Sequence, residues 1–278
     1  MRKGIIEYMV LQNLHTHTCY CDGANTPEEI VVSAIDKGLT SVGFSGHSYM
    51  KYSPVFASKG DKTIEYKREI SHLKEKYKDI IEIYLGLEVE MYSDADMKDF
   101  DYLIGSVHYL KCGNSYVDFD RDEKNVEFII NHYFDGDGMK YAKAYYNTLA
   151  QLPQYGDFDI VGHFDLITKF CEKRNFFDIS SNEYMSAAIE AAEALAGKIP
   201  LFELNTGAVA RGYRTTAYPE INLIKELKRL GFGVVITSDC HNKEYIDCNF
   251  KESAELLKAC GFKEQYILTQ TGFVAVSL

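Results

Sequence analysis

Nine side chains of this 278-residue chain have the types and spacing of metal ligands: His15, His17, Asp22, His47, Glu88, His108, His163, Asp239 and His241. His15 and His17 stand two residues apart at the end of a β-rich apolar run. Extended backbone puts both imidazoles on one face, where they can chelate one cation. Asp239 and His241 repeat that spacing. Asp22 is followed by Gly23, which suits a carboxylate carried on a turn. Glu88 and Glu90 also share a face, so spacing alone does not choose between them. Imidazole nitrogens with carboxylate oxygens suit Zn, Mn or Fe. Nine candidates exceed what one ion uses, and two or three divalent transition metals are expected.

The elements that must carry these residues recur along the chain. Seven apolar, β-rich runs end in polar residues: 8–17, 39–47, 80–90, 100–108, 158–165, 200–207 and 232–241. Six of the eight histidines sit at or just past the ends of such runs. Helical patterns separate the runs. Thr26-Pro27-Glu28-Glu29 reads as an N-cap, a first-turn proline and a capping-box glutamate, opening a helix that Gly38 terminates. Further helices are expected near 63–77, 126–134, 139–151, 182–197, 219–230 and 251–260, followed by two short closing strands in YILTQ and FVAVSL. Strands alternating with helices mean a parallel sheet with helices outside. Closed into a barrel, the C-terminal ends of all strands meet on one rim, and the polar residues converge there. His72 and His132 lie in helical stretches away from the rim and read as ordinary surface or core histidines.

Composition agrees with one large barrel domain spanning 1–278. Apolar residues make up 46% and charged residues 26%, enough to bury a core. No run approaches the roughly 20 apolar residues of a membrane span, so a cytoplasmic protein without membrane contact is expected. The net charge of −11 disfavours nucleic-acid backbone binding, which needs a basic face. Seven cysteines show no framework, and reduced thiols are expected. Cys19 and Cys21 flank the first motif, where filling the loop is the simpler role than ligation. Cys240, between Asp239 and His241, should face the opposite way.

At HTHTCYCDG, GH, GLE, SVH, GH and SDCH the chain resembles the PHP (polymerase and histidinol phosphatase) family, from about Asn13 to His241. The resemblance implies an α/β fold, a distorted (β/α)7 TIM-like barrel with a trinuclear metal site at the C-terminal rim. It implies one metal on His15, His17, Glu88 and Asp239. Glu88 would bridge to a second on His108 and His163, and Asp22, His47 and His241 would hold the third. The Gly86-x-Glu88 pattern selects Glu88 over Glu90. Aspartate at position 22 looks more like the histidinol-phosphate phosphatase branch. The segment 203–219 is similar to an Asn-Thr-x-Gly-x-x-Arg-like segment with a Tyr-Pro in that branch, departing from it as NTGAVAR, and Asn205, Arg211 and Arg214 are candidate phosphate contacts, with Arg211 first because its planar fork matches phosphate oxygens.

The implied activity is hydrolysis of a small phosphomonoester, L-histidinol phosphate, by metal-bound hydroxide, with Asp239, His241 or a metal-bound water able to protonate the leaving alkoxide; the sequence does not choose among them. Three divalent ions would set about +6 of charge against −3 from Asp22, Glu88 and Asp239, making the site locally positive in an acidic protein. Specificity is expected from the rim segments 48–63 and 109–140. Acidic clusters in the second could meet the substrate's cationic amine. The alternative within the family is another small phosphomonoester, a nucleotide or nucleic acid. An amidohydrolase would carry a bridging lysine where this chain has His108, and a non-enzymatic module would be expected to lose part of the ligand set.

Overall fold

In the computed structural model, residues 10–53 and 61–278 are described. Residues 1–9 and 54–60 lie outside them, and with them the start of the first strand run and the middle of the 48–63 rim segment. In chain order the strands are β1 (Gln12–Asn13), β2 (Ser41–Phe44), β3 (Glu82–Glu90), β4 (Tyr102–Ser106), β5 (Tyr109–Cys112), β6 (Ser115–Asp118), β7 (Ile160–Val161), β8 (Leu201–Asn205), β9 (Gly233–Thr237), β10 (Glu264–Thr269) and β11 (Gly272–Ser277). All seven expected runs supply one strand each to a single parallel sheet ordered β1-β2-β3-β4-β7-β8-β9. Beyond its ends the sheet meets itself. Thr16 bridges Cys240 in parallel, with His17 N donating to Cys240 O at 2.8 Å and Cys240 N to His15 O at 3.0 Å. The result is a nearly closed seven-stranded α/β barrel. Its wall is irregular, since β1 and β7 hold only two residues each.

The helices follow their sequence signals. They are α1 (Pro27–Asp36), α2 (Thr63–Tyr77), α3 (Glu123–Tyr133), α4 (Gly138–Leu149), α5 (Asn182–Leu195), the single turn α6 (Gly207–Ala210), α7 (Ile221–Arg229) and α8 (Phe250–Ala259). The capping box on α1 is present in full: Glu29 N donates to Thr26 Oγ1, and Thr26 N donates to the Glu29 carboxylate at 2.9 Å. Asp122, Asp137 and Ser181 are simple N-caps of α3, α4 and α5, each side chain accepting from a backbone N–H of the first turn. Each such cap stabilises its helix by about 1 kcal/mol.

Strand alternation sorts the apolar residues into two cores. Phe202 and Leu204 of β8 face the helices, while Leu201 faces the barrel axis. The axial core holds Leu14, Tyr84, Tyr102, Ile104, Ile160, Leu201 and Val235. Tyr102 crosses the axis, its ring pressed on the backbone of Gly43 and Gly86, and its hydroxyl donates to Leu14 O. A methyl group on Gly86 would fall inside the Tyr102 ring. This layer is the floor on which the rim residues stand.

The expected closing strands form, but they do not join the barrel wall. β10 and β11 pair antiparallel as a separate hairpin. Leu268 of that hairpin packs into the axial core, held by the Gln12 side chain, which donates to Leu268 O at 2.9 Å and accepts from Leu268 N at 2.7 Å. The hairpin therefore plugs the end of the barrel opposite the rim. A second hairpin, β5–β6, opens the 109–140 rim segment ahead of its expected helix, where no strand was expected.

Candidate active site

The rim gathers the nine candidate residues into one cluster. β1 runs on through His15 and His17, and the loop beyond it turns back at Gly23, where a Cβ would lie 2.5 Å from His17 backbone atoms. That turn brings Asp22 Oδ1 to 3.3 Å from His17 Nδ1. His47 follows β2 and forms a bridge with Glu88 of β3. His108 follows β4 and His163 follows β7. Asp239 and His241 follow β9, with Asp239 in the left-handed region at φ +45°. Such a conformation is uncommon for a non-glycine residue and marks functional sites.

Glu88 is the hub. Its Oε1 lies 3.0 Å from His163 Nε2 and 3.4 Å from His108 Nε2. Its Oε2 lies 2.8 Å from His47 Nδ1, 3.4 Å from His15 Nε2 and 3.6 Å from His17 Nε2. Asp239 Oδ1 closes the other side, 3.1 Å from His17 Nε2 and 3.7 Å from His15 Nε2. Further out, Asp22 Oδ2 lies 3.2 Å from His241 Nε2 and 3.6 Å from His47 Nε2. Glu90 takes a different place. Its Oε2 accepts from the His108 backbone at 2.7 Å and lies 3.0 Å from His108 Nδ1, on the far side of that ring.

The donor set fits bound cations. His15 Nε2, His17 Nε2 and Glu88 Oε2 are buried and make no hydrogen bond among the described residues, although such groups are costly to bury unsatisfied. Glu88 Oε2 lies 3.4 and 3.6 Å from these two ring nitrogens, and Asp239 Oδ1 lies 3.7 and 3.1 Å from them. Three sets have ligand atoms close enough to share an ion: His15, His17 and Asp239; His17, Asp22, His47 and His241; and His47, Glu88 and His108. His17 and His47 each belong to two of these sets. The sets overlap along a connected row, so more than one ion can be accommodated.

The electrostatics show the same demand for positive charge. Burial favours a neutral His15 ring, yet Glu203, Glu88 and Asp239 outweigh it and lift its pKa to about 10. Burial would raise the Glu88 carboxyl, but the rings of His47, His15 and His108 hold it well below the usual carboxylate range. Asp239 is held down against burial by Arg211, His15 and His17. His241 moves the other way: burial, then the neighbouring His17, lower its pKa. Bound cations at these rings would answer the same carboxylate charge.

The three residues of the 203–219 segment are placed differently. Arg211, at the end of α6, reaches the rim with Nη2 2.9 Å from Asp239 Oδ2 and Nη1 2.8 Å from His241 Nδ1. Asn205 is buried, its amide donating to Glu203 at 2.8 Å and accepting from Gly207 N at 2.8 Å. Arg214 is buried behind the cluster, donating to Thr168 Oγ1 at 2.6 Å and lying 3.5 Å from Asp165 Oδ2. His72 is exposed on α2, and His132 stacks on Phe128 along α3. All seven cysteines are free thiols. Cys240 faces away from the site into the outer core, whereas buried Cys21 Sγ lies 3.5 Å from His17 Nδ1.

Beside the cluster opens a pocket lined by Asp22, His47, Glu90, His108, Tyr109, Asp118, Asp120 and Arg121. The β5–β6 hairpin carries Asp118 and Asp120 to it. Asp120 pairs with Lys169 Nζ at 2.8 Å. Burial, with Asp120 next to it, raises the Asp118 carboxyl.

The model of the PHP domain matches residues 13–207, well over half of the chain. The chain belongs to the PHP domain family. Asp239, His241 and Arg211 lie beyond the matched span, and the fold returns them to the same rim. Among relatives of this PHP domain, a probable histidinol-phosphatase of Deinococcus radiodurans is 28% identical, covering 89% of this chain and 92% of the relative. The histidinol-phosphatase of Bacillus subtilis is 27% identical, covering 82% and 92%. Among solved structures, histidinol phosphate phosphatase from Lactococcus lactis, complexed with zinc, L-histidinol and phosphate, superposes with a TM-score of 0.72. It is 22% identical, and the match covers 95% of this chain and 98% of that one.

One functional group escaped the sequence reading. Glu203 is fully buried beneath the cluster, with His15 Nδ1 2.8 Å from its Oε2. Its signal was the alternation of Leu201, Glu203 and Asn205, which puts a carboxylate on the inward face of β8.

Proposed function

We propose that this chain is a metal-dependent histidinol-phosphatase that hydrolyses L-histidinol phosphate to L-histidinol and phosphate. The observation that carries this reading is the pairing of two unlike surfaces on one rim. A cation-demanding cluster with Arg211 beside it adjoins a pocket lined by Glu90, Asp118 and Asp120. The substrate has the matching polarity, with a phosphate at one end and an amine and imidazole at the other. Relatives named as histidinol-phosphatases at 27–28% identity support the same reading.

In the proposed arrangement His15, His17, Glu88 and Asp239 hold one ion. Glu88 extends to a second held with His108 and His163, and Asp22, His47 and His241 hold a third. When bound, the divalent cations activate a water and neutralise charge on the transferring phosphoryl group. Arg211 orients the phosphate. Its Nε is buried and makes no hydrogen bond among the described residues, so one donor of the fork remains to be used. Asn205 and Arg214 support the loop that carries Arg211. A solvent water would supply the proton for the leaving alkoxide, because His241 turns Nε2 toward Asp22 and the proposed third ion and holds Nδ1 2.8 Å from the Arg211 Nη1 donor, leaving no ring hydrogen to give. Asp239, held strongly ionised, is a poor acid as well.

One barrel carries the whole set from His15 to His241, which supports one catalytic domain across the chain. The net charge of −11 supports a small-molecule substrate rather than nucleic acid. No described helix is long and apolar enough to cross a membrane. A place in histidine biosynthesis, in the cytoplasm, follows from the proposed reaction. The test is phosphate release with zinc or manganese present, on histidinol phosphate against nucleotides and sugar phosphates. A preference for histidinol phosphate is expected. Equal or greater turnover of the other esters would overturn the assignment.

A further inference from the structure

The structure assigns to Glu203 the positioning of the candidate metal ligands, an inference that rests on the metal-dependent reading above. Glu203 stands on β8 one step above Leu201 of the axial core and is fully buried. An ionised carboxylate there is costly unless every lone-pair direction is used. Four donors meet it: His15 Nδ1 at 2.8 Å, the His163 backbone N–H at 2.6 Å, Asn205 Nδ2 at 2.8 Å and Thr237 Oγ1 at 2.7 Å. They come from the barrel sectors of β1, β7, β8 and β9, so one carboxylate ties together backbones that are remote in sequence.

The contact with His15 has a chemical consequence. A carboxylate only accepts, so the hydrogen on that ring is fixed at Nδ1. When the ring is neutral, its Nε2 lone pair faces Glu88 and Asp239, which is the geometry of a ligand ring held from behind. The same carboxylate anchors the His163 main chain, which fixes the spacing between His15 and the ring of His163 across Glu88. No group of Glu203 itself faces the open rim, so its work is done through these neighbours.

Glutamine is the informative replacement. Its amide has the same shape but offers one accepting oxygen and one NH2, so at least one of the four donors meets another donor. In Glu203→Gln, the affinity for zinc, read by competition with a chromophoric chelator, should fall about 10–100-fold. Thr237→Val removes one donor while leaving the charge and the His15 contact, and should bind zinc within a few-fold of the wild type. Circular dichroism and melting of the metal-free proteins separate loss of ligation from loss of fold. If Glu203→Gln does not fold, Glu203→Asp keeps the charge but withdraws it from His15, and the same weakening is expected. Folded Glu203→Gln or Glu203→Asp protein binding zinc as the wild type does would overturn the inference. Wild-type protein that takes up no zinc would instead overturn the metal-dependent reading itself.

Discussion

Arg211 and Asp239 meet across the ends of β8 and β9, with Nη2 2.9 Å from Oδ2, and Gly207 is the residue that lets them meet. A Cβ at Gly207 would lie 2.8 Å from Asp239 Cβ and 3.1 Å from Arg211 Nη2. The close approach puts a guanidinium and a carboxylate on the same edge of the cluster, beside the proposed phosphate and cation positions.

Arg211→Ala should therefore lower kcat/KM for histidinol phosphate by roughly 30- to 1000-fold, the range for losing one charged donor to a developing anion, about 2–4 kcal/mol. Arg211→Lys should recover only part, because an ammonium cannot reproduce the fork. Steady-state kinetics on metal-loaded protein decide it, and activity unchanged in the alanine variant would remove Arg211 from the site.

Metal removal should abolish turnover. Exhaustive chelation is expected to leave no phosphate release, with recovery on adding zinc or manganese. His72→Ala, on the exposed face of α2, should match the wild type in metal content and rate. Full activity after chelation would refute metal-dependent hydrolysis.

Zinc uptake should release protons, and its apparent affinity should rise with pH through the neutral range. The sign follows from His15. Its pKa is raised to about 10 by the surrounding carboxylates, so the metal-free ring is charged at neutral pH and must lose a proton to ligate. Calorimetry in two buffers of different ionisation enthalpy reads the protons released, and an affinity flat from pH 6 to 8 would contradict this account.

Asp118→Asn should raise KM for histidinol phosphate about tenfold, the weight of one charge-assisted contact. Hydrolysis of an aryl phosphate that carries no amine should change little. Equal effects on both substrates would show that Asp118 acts on the fold or the metals rather than on the amine.

Gly86→Ala should lower stability by about 1–3 kcal/mol, the usual cost of overpacking, because the added methyl meets the Tyr102 ring. Thermal unfolding of the metal-free protein should show a fall in Tm of several degrees. An unchanged Tm would mean that the axial core gives way more readily than its packing implies.

Much of this was legible in the sequence because local rules carry it. Histidines two residues apart on extended chain share a face, whatever the fold. Polar residues at the ends of parallel strands must share a rim once the sheet closes. The capping box at Thr26 and the seven strand runs rest on the same short-range logic, and all appear where the pattern put them. The distinction between Glu88 and Glu90 did not follow from spacing. Both leave the same strand, but the neighbouring His47 and His163 draw Glu88 to the centre, while Glu90 turns behind His108.

The sequence alone determined which residues could bind cations and that a parallel barrel would gather them. Tertiary structure decided how they are supported. Asn205 and Arg214 resemble Arg211 as candidates in the chain, but Asn205 is spent on Glu203, and Arg214 is buried with Asp165 and Thr168. The closing strands became a plug because Leu268 finds the axial core and Gln12. Glu203 stayed hidden because its partners lie on other strands, 188 residues away in the case of His15. Side-chain periodicity is a property of a few consecutive residues, whereas the partner of a buried carboxylate is set by which distant strands stand beside it.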